Sequence, residues 1–136
     1  MRPKLRRLWS AFARDVATLS TCDRTQVGAL LLSDDWERLL AFGYNGGVRG
    51  GPNSPPVDVP GTEFWVHAEA NALVKTRPVE PFVCLCTHTP CYRCAQLLLN
   101  SGVVEVYALE PYRDPTGWQL LRSFGKGVLL DARQAP

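Results

Sequence analysis

Hydrophobic positions along the chain follow two spacings, one typical of helices and one typical of strands. Between residues 5 and 20, apolar side chains recur every three or four positions, which predicts an amphipathic helix packed through one face. Two apolar runs follow at 27–32 and 38–44, and the polar turn between them predicts a β-hairpin. From 46 to 61 glycine and proline are so frequent that we expect a long loop. A loop of this length either lies over a functional site or tolerates an insertion, and the sequence leaves both interpretations open.

Beyond this loop, helical and extended segments alternate. Helical spacing is present at 67–75, 91–100 and 115–124, and apolar runs predict strands at 81–87, 103–109 and 127–131. Strands that alternate with helices are typical of α/β domains whose later strands run parallel, because each helix carries the chain back across the sheet. We therefore expect a layered α/β fold.

The length and composition are those of one globular domain. The chain has 136 residues, of which 46% are hydrophobic and 21% are charged, so we predict a single domain over residues 1–136. The formal net charge of +2 is too small to indicate nucleic-acid binding by itself, whereas small anionic substrates are compatible with it. We expect no nucleic-acid partner.

The N-terminus and the cysteines bear on the compartment. Arg14 and Asp15 interrupt the basic start before any apolar stretch long enough for a signal peptide, and no apolar run reaches the roughly 18 residues of a membrane span. Cysteine occurs five times, an odd number, and two of the five form a Cys-x-x-Cys pair. This usage favours a reducing compartment and a metal over disulfide bonds, so we expect a cytoplasmic protein without a membrane partner.

Three potential metal ligands lie at the starts of two predicted helices. His67 opens one helix, and Cys91 and Cys94 occupy the first turn of the next, three positions apart and therefore on one side. A helix N-terminus favours thiolate over thiol, which is the form that binds zinc. One histidine and two cysteines are one ligand short of the closed tetrahedron of a structural zinc site.

The other histidine of the chain, His88, decides whether such a site is open. If His88 also bound, the site would be closed and structural; if it did not, the fourth position would stay open, as catalytic zinc requires. The end of an extended strand lies away from a pocket between two helix starts. We therefore expect His88 to be structural or exposed to solvent.

Glu69 lies two positions after His67 in the same predicted helix. An open zinc site still needs a group that transfers protons, and a carboxylate suits that task. Taken alone, Glu69 would be an acidic residue stabilised by the helix N-terminus. With His67 and the Pro-Cys-x-x-Cys segment, the proton-transfer role is favoured, since a chance match to all five positions is improbable in a short chain.

The combination of His-x-Glu with Pro-Cys-x-x-Cys is the signature of zinc-dependent nucleobase deaminases. With it, RTQVGALLL, AFGYNGG, HAEANAL and TPCYRCAQLLLNSGVVEVY occur in an order that resembles the deoxycytidylate (dCMP) deaminase family over roughly residues 5–130. The resemblance implies a three-layer α/β/α cytidine deaminase-like fold with a five-stranded mixed sheet. It also implies hydrolysis of dCMP to dUMP and ammonia, with one catalytic zinc on His67, Cys91 and Cys94 and with Glu69 as proton shuttle.

The resemblance also suggests residues for the substrate. It implies that the loop around Asn45 holds the sugar or nucleotide and that Tyr112 lines the pocket. The backbone N–H of Ala68, unpaired at its helix start, is a candidate donor to O2 of the base. Arg24 is the first candidate for the phosphate, because a guanidinium binds phosphate through two hydrogen bonds.

Several assignments stay open at this point. Arg24 could instead serve surface solubility, and Arg113 and Arg49 are the other candidates for the phosphate. Tyr112 could equally be a packed loop residue, and Trp65 could border the site. The remaining cysteines, which are Cys22, Cys84 and Cys86, are expected to be buried small hydrophobic residues.

Assembly and regulation are also implied by the resemblance alone. Many relatives are hexamers controlled by deoxynucleoside triphosphates with magnesium, so a homo-oligomer is expected and a magnesium-bound nucleotide effector is an option. The Gly-Tyr-Asn-Gly stretch involved in that control is present at 43–46, but the loop after it is short. Residues 46–66 contain no cysteine or histidine for a second, structural zinc, so we predict one zinc per chain.

Two other functions are weighed against this one. The first is deamination of another cytosine or purine base, nucleoside, nucleoside triphosphate or single-stranded nucleic acid. Polynucleotide substrates call for basic channels and aromatic platforms, which the sequence does not concentrate beyond its N-terminal arginines. The second is a non-catalytic, zinc-stabilised binding domain, and Glu69 argues against it.

Overall fold

A computed structural model of the chain describes residues 2–130, which form five strands and five helices. In chain order these are α1 (Pro3–Ala17), β1 (Gly28–Ser33), β2 (Leu39–Tyr44), α2 (Gly61–Phe64), α3 (Ala68–Val74), β3 (Phe82–His88), α4 (Tyr92–Asn100), β4 (Glu105–Glu110), α5 (Thr116–Ser123) and β5 (Val128–Leu129). The last residue expected in the strand at 127–131, and both ends of the domain predicted over 1–136, lie outside the described residues.

The five strands form one mixed sheet in the order β2-β1-β3-β4-β5. The expected hairpin is confirmed, since β1 pairs antiparallel with β2, and β1 also pairs antiparallel with β3. The pairs β3–β4 and β4–β5 are parallel, as predicted for strands joined by helical crossovers. The carboxyl ends of β3, β4 and β5 therefore lie at one edge of the sheet.

Helices cover both faces of the sheet, because alternate side chains of β1 are apolar and point to opposite faces. Ala29 and Leu31 point to one face, where they join a buried cluster with residues of α3, α4 and α5. Leu30 and Leu32 point to the other face and pack with Ala13 and other residues of α1. All four β1 side chains are fully buried. The expected three-layer α/β/α architecture is therefore confirmed.

Close backbone contact fixes α3 on the sheet. A Cβ atom added at Gly43 of β2 would lie 2.3 Å from the Ala68 carbonyl oxygen and 2.5 Å from the Ala72 nitrogen. Only glycine allows that approach, because real Cβ atoms do not come so close to backbone atoms. The first turn of α3, which follows His67, is therefore held at a set height above β2.

The loop expected at 46–61 is largely irregular, and two hydrogen bonds close the segment from Gly46 to Val66 that contains it. The N–H of Gly46 donates to the Val66 carbonyl at 3.1 Å, and the N–H of Val66 donates back to Gly46 at 2.8 Å. The short helix α2 at the end of the loop was not expected. It forms because the N–H groups of Glu63 and Phe64 both donate to the Pro60 carbonyl.

In the part of the chain that the structure describes, every helix is too short or too polar to cross a membrane.

Candidate metal centre and active site

Two helix starts bring the three predicted metal ligands together. His67 immediately precedes α3, Cys91 immediately precedes α4, and Cys94 lies in the first turn of α4. The Nδ1 atom of His67 lies 3.3 Å from the Cys91 sulfur and 3.5 Å from the Cys94 sulfur. The three ligand atoms all lie within 4.8 Å of one another, at the carboxyl end of β3.

This donor set fits zinc. Bonds of about 2.0–2.1 Å to nitrogen and 2.3 Å to sulfur, at tetrahedral angles, put the two ligand atoms about 3.5 Å apart. The two nitrogen–sulfur distances match this spacing without rearrangement. His88 is not part of the cluster: its Nδ1 lies 3.0 Å from the Thr87 hydroxyl, and its Nε2 faces Glu110. Within residues 2–130, the donor set therefore consists of three side chains.

The two thiols of the cluster differ in acidity. A hydrogen bond from Cys94 lowers the pKa of Cys91 to about 4. The same bond, together with burial, raises the pKa of Cys94. His67 also has a raised pKa, chiefly because of its hydrogen bond with Cys91. Metal binding requires both thiols as thiolates, so it would release the proton that Cys94 retains.

Glu69 is buried beside these ligands. It is the second residue of α3, and only 3% of its surface is exposed. Burial raises the pKa of its carboxyl, and the nearby His67 counteracts part of the rise. A carboxyl that holds its proton more tightly than a free glutamate is suited to accept and return protons near neutral pH.

A cavity of about 370 Å³ opens over the cluster and Glu69. This volume is in the range of small-molecule sites. Seven of the eight residues predicted from the sequence line it: Arg24, Asn45, His67, Ala68, Glu69, Cys91 and Tyr112. The eighth, Cys94, is buried behind the wall.

Asn45 serves the architecture of the cavity as well as facing it. Its side-chain oxygen accepts a hydrogen bond from the Val27 N–H at 2.8 Å, and its amide nitrogen donates to the Thr25 carbonyl at 2.8 Å. These bonds fasten the segment before β1 to the end of β2. Arg24, which directly precedes Thr25 in this segment, lines the cavity.

The second arginine at the cavity comes from the loop after β4. Arg113 lines the wall, whereas Arg49 lies in the 46–61 loop outside its lining. The loop after β4 is anchored by Thr89, whose buried hydroxyl accepts a hydrogen bond from the Tyr112 N–H at 2.6 Å. The Arg113 guanidinium carbon lies 5.9 Å from the centre of the Tyr112 ring.

The sequence prediction missed several contributors to the site, among them Cys22, Thr89 and Gly117. Cys22, Cys84 and Cys86 are buried as expected, but Cys22 also lines the cavity. Thr89 was missed, although it directly precedes the Pro-Cys-x-x-Cys segment. Gly117 of α5 was also missed: a Cβ there would lie 2.2 Å from the Pro90 carbonyl oxygen. Trp65 lines the cavity too.

A three-layer fold with one histidine and two cysteines at paired helix starts, beside a buried glutamate, defines a class of zinc-binding deaminase domains. Comparison with known families agrees with this class. The family described as the cytidine and deoxycytidylate deaminase zinc-binding region matches residues 4–110. The chain belongs to this family.

Individual relatives are similar over most of the chain. ComE operon protein 2 of Bacillus subtilis is 32% identical over 122 residues, which cover 83% of this chain. The deoxycytidylate deaminase of Mycobacterium phage D29 is 31% identical over 122 residues, covering 77% of this chain and 94% of the phage protein. The chain spans 64% of the length of ComE operon protein 2.

A solved structure shows the same fold. The crystal structure of dCMP deaminase from the cyanophage S-TIM5, in complex with dCMP and dUMP, superposes with a TM-score of 0.83 at 30% identity. The match covers 96% of this chain and 99% of the phage chain. The cytidine deaminase-like fold expected from the sequence is thereby confirmed.

Proposed function

We propose that this chain is a zinc-dependent deaminase that hydrolyses a cytosine mononucleotide, converting dCMP and water to dUMP and ammonia. The observation that carries the proposal is the convergence of His67, Cys91 and Cys94 with the buried Glu69 at one cavity. Its support from relatives is the similarity to the S-TIM5 dCMP deaminase, which was solved with dCMP and dUMP.

The roles of the residues follow from their positions. His67, Cys91 and Cys94 would hold one zinc ion per chain, which when bound supplies the Lewis acidity that makes water nucleophilic near neutral pH. Glu69 accepts a proton from the water that attacks C4 of cytosine and passes it to N3. Glu69 then transfers the second proton to the amino group, which leaves as ammonia.

The other residues at the cavity orient the nucleotide. The N–H of Ala68, in the first turn of α3, is assigned to O2 of the base. Asn45 faces the sugar from a position fixed by its bonds to Thr25 and Val27. Arg24 and Arg113 both line the cavity and supply positive charge for the phosphate.

The wider properties of the protein belong to the same proposal. We assign it a single domain over 1–136, a cytoplasmic location and a homo-oligomeric state, with the hexamer as one option. A magnesium-bound nucleotide effector stays a prediction. The donor cluster among the described residues is of the soft nitrogen and sulfur type, which suits zinc, whereas magnesium prefers oxygen ligands.

A substrate panel tests the proposal. The purified protein is incubated with dCMP, dCTP, deoxycytidine, guanine and a cytosine-containing oligonucleotide, and ammonia release is followed. We expect the highest kcat/KM for dCMP. Activity on the oligonucleotide alone would overturn the assignment to a mononucleotide, and zinc-loaded protein that is inert toward every compound would favour a binding domain.

A further inference from the structure

A second cavity of about 530 Å³ continues the first one away from the metal ligands. The two cavities share part of their walls, including Arg24, His88 and Arg113. The outer cavity does not reach His67 or Glu69, whereas Glu110 and Pro111 line the outer cavity and not the inner one. A nucleotide whose base lies at Glu69 therefore extends its phosphate end toward this outer space.

His88 and Glu110 form a pair in the wall of the outer cavity. They are register partners at the carboxyl ends of the parallel strands β3 and β4. The Nε2 atom of His88 lies 3.4 Å from a Glu110 carboxylate oxygen. The side chain of His88 is 22% exposed and that of Glu110 is 62% exposed, so the carboxylate reaches into the open part of the cavity.

A buried threonine sets the orientation of His88. The Thr87 hydroxyl accepts a hydrogen bond from the Gly28 N–H at 3.1 Å and lies 3.0 Å from Nδ1 of His88. Because Thr87 is 5% exposed, its hydroxyl proton needs an acceptor, and Nδ1 is the one within reach. In the neutral ring Nε2 then carries the proton and faces the Glu110 carboxylate, which lies 3.4 Å away.

The charges of the two cavities suit one phosphate group. A phosphomonoester carries about 1.5 to 2 negative charges at neutral pH, which Arg24 and Arg113 together can balance. Each further phosphate adds negative charge and occupies more of the outer cavity. There Glu110 is the one acidic residue among the described lining residues. Asp114 accepts hydrogen bonds from the N–H and hydroxyl of Thr116, which lower the pKa of its carboxyl, so its negative charge lies at the inner cavity and not at the outer one.

From this arrangement we propose that Glu110, which faces His88 in the wall of the outer cavity, is a specificity-determining residue that restricts the substrate to the nucleoside monophosphate. The carboxylate opposes the additional charge of a di- or triphosphate where the longer chain would extend. The inference rests on the proposed deaminase function, since it concerns the phosphate end of the same substrate.

The experiment compares kcat/KM for dCMP, dCDP and dCTP in the wild type and in Glu110→Gln, which keeps the shape of the side chain and removes its charge. We expect the preference for dCMP over dCTP to fall by about tenfold, a value moderate for a like-charge contact because Glu110 is partly solvated. Glu110→Lys should reduce the preference further. Both effects should shrink at high ionic strength, because salt screens exposed charges.

Asp34→Asn is the matched control. Asp34 is an exposed acid in the β1–β2 turn and lines neither cavity, so its loss changes the net charge equally but should leave the preference unchanged. An unchanged preference in both Glu110 variants would overturn the inference while leaving dCMP deamination intact. If the wild type deaminates none of the three nucleotides, the proposed function itself fails.

Discussion

The Glu69 carboxyl has two properties that acidic residues at helix starts rarely combine. Such residues usually face solvent, where they interact with the helix N-terminus at little cost. Glu69 is instead buried beside His67 and Cys94, and burial raises its pKa. Its cost in solvation is offset in part by the nearby His67, by a backbone hydrogen bond and by a hydrogen bond with Cys94. A dry environment of this kind suits the proton transfer proposed for Glu69.

Replacement of this carboxyl by an amide should separate metal binding from turnover. We expect Glu69→Gln to keep its zinc, because none of the three ligands changes, and to lose kcat by about 100-fold or more. Zinc content by atomic absorption and ammonia release from dCMP measure the two properties. Glu63→Gln, an exposed acid in the first turn of α2, is the control and should keep both. Equal activity of Glu69→Gln and wild type would remove Glu69 from the mechanism.

Two cysteines near the cavity should behave differently toward the metal. Cys94→Ser should lower the zinc content, because Cys94 contributes one of three ligand atoms and a hydroxyl is a weaker zinc ligand than a thiolate. Cys22→Ser should keep one zinc per chain, since Cys22 lines the cavity but lies outside the ligand group. The measurement is zinc stoichiometry after dialysis. Zinc loss in Cys22→Ser alone would contradict the ligand assignment.

At the scale of elements, the site forms where the N-terminal ends of α3 and α4 lie close together on the sheet. Gly43 lets α3 lie directly on β2, and Gly117 lets α5 approach the turn of Pro90 and Cys91. At both positions, the absence of a side chain allows the close approach of the two backbones. The three predicted metal ligands are therefore positioned by backbone contacts as much as by their own spacing in the sequence.

A methyl group at Gly117 should disturb this arrangement. In Gly117→Ala the new Cβ would lie 2.2 Å from the Pro90 carbonyl oxygen and 2.4 Å from the Cys91 carbonyl carbon, so α5 must move away from the start of α4. We expect a loss of about 1–3 kcal/mol in the free energy of unfolding, as for other overpacked sites, together with weaker zinc binding. Denaturant unfolding and zinc titration measure the two effects.

The control for this substitution is Gly61→Ala at the start of α2. A Cβ at Gly61 meets nothing within 4 Å, and its φ is not positive. The unfolding free energy of Gly61→Ala should stay close to that of the wild type. Identical unfolding curves for Gly117→Ala and Gly61→Ala would show that α5 does not constrain the Cys91 turn.

Periodicity predicted most elements to within a few residues, because burial on one face leaves a pattern in the sequence. The helix expected at 5–20 is α1 (Pro3–Ala17), and the strand expected at 81–87 is β3 (Phe82–His88). The helix α2 was missed because it has four residues and no buried face. The order of the strands in the sheet could not be predicted from periodicity, because the hydrophobic pattern of β1 does not indicate which strands pair with it.

At the scale of the molecule, the site lies where the sheet changes from antiparallel to parallel pairing. β1 and β3 are antiparallel, and β3 and β4 are parallel, so the ends of β3 and β4 lie beside the beginning of β1. Loops from distant parts of the chain therefore meet around one cavity. Arg24 precedes β1, His67 precedes α3, and Arg113 follows β4.

Distance along the chain also explains which parts of the site were predictable. The proposed metal ligands and Glu69 belong to two short motifs, whose residue types and spacing are specific enough to predict a site. Thr89 acts through its hydrogen bond with Tyr112 of another segment, and Cys22 lines the cavity only because distant segments meet there, so no local pattern marks either residue. The outer cavity depends on the pairing of β3 with β4, which only the three-dimensional structure shows.

Removal of the metal should affect stability and activity together. A ligand that binds the folded state at about a thousandfold excess over its Kd adds about 4 kcal/mol of stability. We therefore expect protein dialysed against a chelator to be inactive and to unfold at a lower Tm than untreated protein. Zinc should restore both, and magnesium should restore neither. Calorimetry and ammonia release give the result, and full activity without zinc would contradict the proposal.

The reciprocal hydrogen bonds between Gly46 and Val66 lie one residue away from Asn45 on one side and His67 on the other. The segment between Gly46 and Val66 is therefore closed at its base by these two hydrogen bonds. Residues 47–60 of this segment lie outside the cavity lining, whereas Trp65 contributes to it. We therefore expect that the length and composition of 47–60 can vary while Asn45 and His67 keep their separation. Changes in this segment would then alter which substrates the protein accepts, while the predicted zinc ligands and Glu69 stay unchanged.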